Sequence, residues 1–364
     1  VLGFQTHRDQ LAMSWTREEQ KAKLSELRNN ARTDGELREK YALGNPSHWS
    51  LHEAREVLRT AKNWESKIIP VTYRPFDNRV CFFDETLADR PRHELKTHMA
   101  LRRNLALNFV RQTKAPHWRH ALVSDQPTPA VFLEIKDGSS VFPLYLYANG
   151  DLPEDELFVQ EEGQRPNFSD KFVHETEKLL KLRFLADRAG DRRKTFGPED
   201  ILHYAYAVFH APSYRQCFAE FLRVDFPRLP LTSDQNLFRE LCGAGKDLVA
   251  LHLLRQTGTL RVNFPNKGSN EIAEVNYTLS RGSTPARVHI NEEQWFENVP
   301  PEVWEYHVGG YQVCEKWLKD RKGRQLTIEE RQIYPKIVAA LHETIRIQRE
   351  IDEAIAAAGG WPLK

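Results

Sequence analysis

The sequence predicts an α+β fold, a mixed β-sheet region with packed helical blocks and C-terminal helices. Three observations lead there. Apolar residues recur at helical spacing in some blocks, β-branched and aromatic residues concentrate in others, and the two kinds of block do not alternate regularly as a doubly wound sheet would require. Residues 17 to 65 are charged and carry Leu24, Leu27, Leu37, Leu51, Val57 and Leu58 at broadly helical spacing, which predicts short amphipathic helices. Lys67 to Phe83 then switches to a strand, a Pro-Phe-Asp-Asn turn and a second strand. From Arg90 to Asn108, basic residues surround Leu95, Met99, Leu101 and Leu105, as expected of a helix with one basic face. Strands return at Ala130 to Leu133 and Val141 to Tyr147, on either side of the Asp137-Gly138 turn. Asn149 to Asn167 is charged and contains Gly and Pro, the composition of a loop or boundary.

From Pro198 the pattern becomes helical again, with Ile201, Tyr204, Ala205, Val208 and Phe209 on one face and Pro212 placed to restart a helix as its first residue. Asp234 is a cap for the next helix, whose apolar face is interrupted by Gly243 and Gly245. LRVNF, IAEVNYTL, ARVHI and VWEYHV read as strands between residues 260 and 308, after which Gly309-Gly310 turns the chain into a helix beginning near Tyr311. Thr327 with Glu330 forms a capping-box pattern, and Pro335 opens the last long helix. The expected division is an N-terminal α+β part (1–150), a loop or linker segment (151–195), a helical block with β-strands (196–326) and a C-terminal helix (327–364).

Composition narrows the function. The 364 residues include 52 basic and 51 acidic ones, a formal charge of +1, which excludes a generally polycationic coat protein, so any nucleic-acid binding must come from local asymmetry. The four cysteines lie far apart and form no CxxC pair, arguing against a zinc ribbon or disulfide framework and for a reducing cytosol. No apolar run approaches the ~20 residues of a membrane span. A start at Val1 rather than Met points to a chain that continues upstream.

Several motifs offer anion or base contacts, each with a plainer alternative. Gly310, Tyr311 and Gln312 stand at the expected helix start, whose free N–H groups attract phosphates, and Lys316, Lys319, Arg321, Lys322 and Arg324 follow it. A solvated basic helix end complementing its own dipole explains the same residues. In Tyr73 to Arg79, YRPFDNR, Arg74 and Arg79 flank a tight turn and suit phosphate or guanine. Alternatively, Asp77 pairs with Arg79 simply to hold the turn. Arg90, Arg92, Lys96, Arg102 and Arg103 would follow a DNA backbone if they share a face, or form an ordinary solvated helix. Arg228 lies between two prolines, positioned either for recognition or to cap a carbonyl while Phe226, Leu229 and Leu231 dock the helical unit. Asn263, Lys267, Arg281 and Arg287, with Asn266, Asn270 and Asn276, lie on strand ends and turns where they would read bases, although asparagine also favours turns.

Catalytic motifs are weak. Asp125 with Glu134-Ile135-Lys136 imitates the D…ExK pattern of metal-dependent nucleases, a spacing that arises often by chance. Asn45-Pro46-Ser47-His48 lacks the second proline and aromatic of an adenine-methylation motif, and no Walker-type phosphate loop is present.

VWEYHVGGYQVCEKWLKDRKGR resembles the C-terminal signature of type ISP restriction-modification enzymes, in which one polypeptide carries nuclease, helicase, adenine methyltransferase and target-recognition parts. LGFQTHRD near the start, YRPFDNR, FPLYLY and the long stretch Phe196 to Leu231 resemble further segments of that family in the same order. The resemblance spans nearly the whole chain and matches the part downstream of the catalytic domains. It implies that the β-sheet region binds duplex DNA at an asymmetric sequence and orients a neighbouring methyltransferase domain of the same polypeptide over its target adenine, in the bacterial cytoplasm. It also implies that S-adenosylmethionine, Mg and ATP serve domains outside this chain, which would hold no cofactor or catalytic residue of its own. The remaining alternatives are a structural coupling module that packs on the methyltransferase, and a nuclease using Asp125, Glu134 and Lys136.

Overall fold

The structure, a computed structural model, describes residues 1–44, 46, 48–148 and 163–363. Most of the expected Asn149–Asn167 loop, the start of the 151–195 segment, and Asn45 and Ser47 lie outside the described residues. The α+β class is observed, but the β-structure is divided among small sheets instead of one mixed sheet. Parallel pairing among the described strands occurs only between Arg183–Phe184 and Thr195–Phe196.

After a single helical turn, Asp9–Ala12, come three short helices: Arg17–Arg28, Asp34–Lys40 and Leu51–Thr60. Their first turns are capped by Thr16, Thr33 and Ser50, which accept backbone N–H bonds three residues on. The leucines at helical spacing, Leu24, Leu27, Leu37, Leu51 and Leu58, form one buried cluster, whereas Val57 is solvent-exposed. The hairpin of Ile68–Arg74 and Asp77–Phe82 follows as expected, with Met13–Ser14 paired on its outer edge. A second antiparallel sheet centres on Ala106–Val110, flanked by Ala121–Ser124 and Ser139–Pro143. A third consists of Asn276–Thr278, Arg287–His289 and Trp295–Glu297.

Helices Pro198–His210, Gln235–His252 and Ile328–Ala357 form the packed block. Pro212 starts a helix, Asp234 caps the next, and Thr327 with Glu330 forms the expected capping box. A polar chain crosses this interior. The Tyr206 hydroxyl accepts from the Val123 N–H at 3.2 Å and lies against Nδ1 of His252. Nε2 of His252 lies 2.9 Å from the Thr344 hydroxyl, which itself donates to the Ala340 carbonyl at 2.7 Å. That order makes Nε2 the protonated nitrogen of a neutral His252.

Several elements differ from expectation. The expected helix over Arg90–Asn108 is only His93–Leu95 continued by a π-helical turn to Ala100, because Ala106–Val110 is the central strand of its sheet. Ala130 to Leu133 is a turn, held by a hydrogen bond from the Phe132 N–H to the Pro129 carbonyl. VWEYHV divides into a helical turn, Pro301–Trp304, and a two-residue strand, His307–Val308; consecutive prolines at 300 and 301 preset the helical entry. Pro335 lies inside the last helix, which begins at Ile328 behind its capping box. Gly243 and Gly245 do not break their helix. Gly245 lies where that helix crosses Pro198–His210, and a Cβ there would be 1.8 Å from the His203 carbonyl oxygen.

The cores ignore the sequence divisions. One joins Phe109, Trp118 and Val123 to the helical block, and another joins Phe76, Val110 and Leu122 to Ile272, Val288, Phe296, Trp317 and Tyr334.

Two outcomes follow. Gly245→Ala forces the helix crossing apart and lowers stability in urea unfolding by about 1–3 kcal/mol. Burial holds His252 down to about 3 and His203 to about 4, the latter helped by Lys246 and Arg192. These imidazoles are neutral when folded, so stability is full above the unfolded imidazole pKa of about 6.5 and falls as pH drops below it. The urea midpoint therefore falls from pH 7 to pH 5, less steeply in His203→Gln, by up to about 1.4 kcal/mol per pH unit.

Candidate nucleic-acid interface

The YRPFDNR turn brings the two ends of the chain together. Arg74 pairs with Asp77 across it, and Phe76 takes a left-handed φ of +62° at its corner. Asp77 is 1% exposed. One of its oxygens accepts from Nε and Nη2 of Arg79 at 3.0 and 2.8 Å, and the other from Nη2 of Arg321 at 2.8 Å. Arg321, 4% exposed, also donates to Glu330 at 2.8 Å and to the Trp317 carbonyl at 2.9 Å. The Trp317 indole donates to the Phe76 carbonyl at 3.1 Å.

Stacked guanidinium and aromatic groups extend this lock. Arg79 lies 3.7 Å from the centre of the Trp15 ring and 4.1 Å from that of Tyr73, and Arg321 lies 3.5 Å from Trp317 and 4.3 Å from Trp15. Arg324 completes the group at 4.9 Å from Trp15 and pairs with Glu19 at 2.9 Å. Arg74 lies between Tyr73 and Tyr311. The Lys23 ammonium is lowered to about 8, first by burial and then by Arg324, Arg79 and Lys40 against the opposing Glu19. Trp15 was missed by sequence reasoning, which had no local signal joining residue 15 to residue 321.

The Gly309-Gly310 turn is not an open phosphate cradle. The two N–H groups donate to the carbonyls of Arg119 and Leu133 at 2.7 and 3.0 Å. A Cβ on Gly309, whose φ is +56°, would lie 2.0 Å from the Leu133 oxygen, so close approach to the 130–134 turn is what requires glycine. Tyr311 and Gln312 form a strand, and their side chains donate to the carbonyls of Val131 and Trp304 at 2.6 Å each. The helix begins at Val313, with its first two residues buried. Of the basic residues after it, Lys316 pairs with Asp320 and Lys319 with Glu315, Arg321 is interior, and Lys322 is exposed.

The structure does bring the loop that carries Lys267 to the 319–324 turn. Backbone pairing of Ile272 with Gly323 and Arg324, and of Asn270 with Leu326, puts exposed Lys267 and Lys322 on adjoining loops. Fully buried Gln294 organises this region by donating to the Asn266 carbonyl and the Asn270 side chain at 3.1 and 3.0 Å. Asn263 is exposed, with its backbone paired to Glu297. Exposed Arg281 lies in the hairpin tip, closed by its bridge to Thr284.

The strand register places Asn276, His289 and Trp295 in one row and Thr278, Arg287 and Glu297 in another two positions along, on the same face. Arg287 lies 4.3 Å from the Trp295 ring centre and 3.6 Å from Glu297. Sequence reasoning passed over His289 and Trp295; the WFE run between turn residues was the available signal.

The remaining candidates belong to other neighbourhoods. Arg102 lies 4.7 Å from the Tyr147 ring centre, and exposed Arg103 follows it on a loop instead of a basic helix face. Arg228 is exposed on the loop after the helical block, where its carbonyl accepts from Tyr214 at 2.7 Å. The nuclease-like carboxylates have separate partners. Asp125 pairs with Arg255 at 2.8 Å, and Glu134 faces His120 at 3.5 Å. Among the described residues there is no group of three or more His, Cys, Asp or Glu able to hold a metal ion.

A family model described as the Type ISP C-terminal specificity domain matches residues 1–350. The fold is similar to part of the ATP-dependent Type ISP restriction-modification enzyme LlaBIII bound to DNA, with TM-score 0.68 and 16% identity over 96% of this chain and 23% of that one. A nuclease-deletion mutant of the Type ISP restriction-modification enzyme LlaGI in complex with a DNA substrate mimic aligns with TM-score 0.64 and 16% identity, over 96% of this chain and 27% of that one. The DrdV–DNA complex gives TM-score 0.67 and 19% identity over 96% and 35%. At these identities the likeness is one of fold, and this chain spans about a quarter to a third of those proteins. No curated protein sequence matches it.

Asp77→Asn leaves one buried and one half-buried guanidinium group without their shared charge. Chemical denaturation should show a loss of about 3–5 kcal/mol; a loss below about 1 kcal/mol would mean that the stacked rings, not the carboxylate, hold the two ends together.

Proposed function

The chain belongs to the family of Type ISP C-terminal specificity domains, and on that premise we propose that it binds duplex DNA at a defined sequence and positions an adjacent adenine methyltransferase of the same polypeptide. The observation that carries this reading is the family match over residues 1–350, and the exposed cations of the 263–287 segment and the 319–324 turn support it. Lys267, Lys322 and Lys319 contact phosphates, while Arg281, Arg287 and Asn263 reach base edges from the hairpin and its flanking loop. Arg102, Arg103 and Arg228 supply peripheral backbone contacts. Arg74, Arg79, Arg321 and Arg324 act one step back, holding the surface in place by their stacking on Trp15, Tyr73, Trp317 and Tyr311.

S-adenosylmethionine, Mg and ATP serve other parts of such a polypeptide, and the setting is the bacterial cytoplasm. Among the described residues no helix is long and apolar enough to cross a membrane. Residues 1–150 form the part that follows the methyltransferase, 151–195 connect, 196–326 carry the DNA-facing elements, and 327–364 brace them.

Selection of bound sequences from a randomised duplex pool, with this chain alone and fused to a family methyltransferase domain, yields a consensus; enrichment of no sequence in either form refutes the reading. Lys322→Gln weakens all duplexes alike and lowers the salt slope by about one, whereas Arg281→Gln relaxes a single base position at a cost of about 1–3 kcal/mol.

A further inference from the structure

A cleft of about 660 Å³, lined by none of the residues assigned to the surface just described, lies where the turn at 116–119 meets the helices Pro212–Cys217 and Ala219–Val224, the Pro301–Trp304 turn and the long C-terminal helix. Its lining is rich in donors. Arg119, Arg215 and Arg223 all face it, and none of the three forms a salt bridge among the described residues. Arg215 is fixed by donating from Nε to the Phe209 carbonyl at 2.7 Å, and its guanidinium lies 5.9 Å from the Trp118 ring centre. Gln348 donates to the Tyr306 hydroxyl at 3.1 Å on the same wall. Trp118 is 3% exposed, and its indole N–H has no acceptor. A buried donor without an acceptor costs about 1–3 kcal/mol. Beside guanidinium groups without carboxylate partners, it marks a place that lacks an anion.

Glu302 and Glu305 also line the cleft, so three arginines face two carboxylates, and neither carboxylate comes within salt-bridge distance of a guanidinium. Arg215 belongs to the Phe196–Leu231 stretch, of which the reading above uses only Arg228, for a peripheral contact.

We propose that this cleft binds a phosphate group, held by Arg119, Arg215 and Arg223 with the Trp118 indole N–H and the Tyr306 hydroxyl as neutral donors. The group comes either from the backbone of a DNA duplex or from a free phosphate, and both present the same oxygens. Neither source requires the target-reading surface, so the proposal stands apart from sequence recognition.

The test follows the Trp118 indole N–H resonance, assigned with Trp118→Phe, in the 364-residue chain labelled with ¹⁵N at tryptophan. Inorganic phosphate and a duplex are titrated separately. A saturable shift with phosphate is expected, weakened about tenfold by Arg119→Gln through loss of one charge-assisted hydrogen bond. Arg223→Gln, at an exposed position, replaces that variant if Arg119→Gln does not fold. A shift with duplex that phosphate competes away identifies the DNA backbone as the source, and a shift with phosphate alone identifies a free phosphate. Absence of a saturable shift with either ligand overturns the proposal. The randomised-pool selection reads sequence recognition separately, so failure of one reading is distinguishable from failure of the other.

Discussion

One carboxylate with almost no solvent contact, Asp77, holds two guanidinium groups that are 242 positions apart in sequence, Arg79 and Arg321. Two positive groups so close and so poorly hydrated would repel without it. Glu330 supplies the second negative charge from the start of the long C-terminal helix, and Trp15 and Trp317 present ring faces to the planar cations. The hairpin, the segment after Gly309-Gly310 and the C-terminal helix therefore meet at one electrostatic joint. Arginine suits it because a guanidinium stacks and donates in its plane at once, which an ammonium does not.

The joint determines which basic residues remain available to a ligand. Arg74, Arg79, Arg321 and Arg324 have intramolecular partners, and the glycine N–H groups pack against the 130–134 turn. Lys267 and Lys322 remain at the surface because their loops are held from behind, through Gln294 and the backbone pairing of 270–272 with 323–326, and Arg281 because its hairpin tip is closed by its own pairing with Thr284. The region thus combines a rigid, charge-balanced base with exposed cations on short loops, an arrangement that suits recognition better than cations on mobile chain.

Much of the secondary structure was legible because its signals are local. The N-terminal amphipathic helices, the Pro-Phe-Asp-Asn hairpin, Pro212 as a helix start and the caps at Asp234 and Thr327 each follow from a few neighbouring residues. The errors arose where distant packing overrode local pattern. Leu105 to Asn108 fits a helical pattern, yet the segment beginning at Ala106 lies between two strands whose backbones take its hydrogen bonds. Pro335 looks like a first-turn residue, but the capping box that opens eight positions earlier nucleates the helix, and buried contacts along its length offset the lost backbone bond.

The sequence by itself determined the α+β class and the family resemblance, since composition, periodicity and motif order are properties of neighbours along the chain. Only the tertiary structure decided which arginines are interior struts and which face solvent, that Trp15 lies between residues from both ends, and that Arg119, Arg215 and Arg223 share a cleft. A side chain's availability is the balance between solvent and partners brought near by folding, and those partners lie tens to hundreds of positions away.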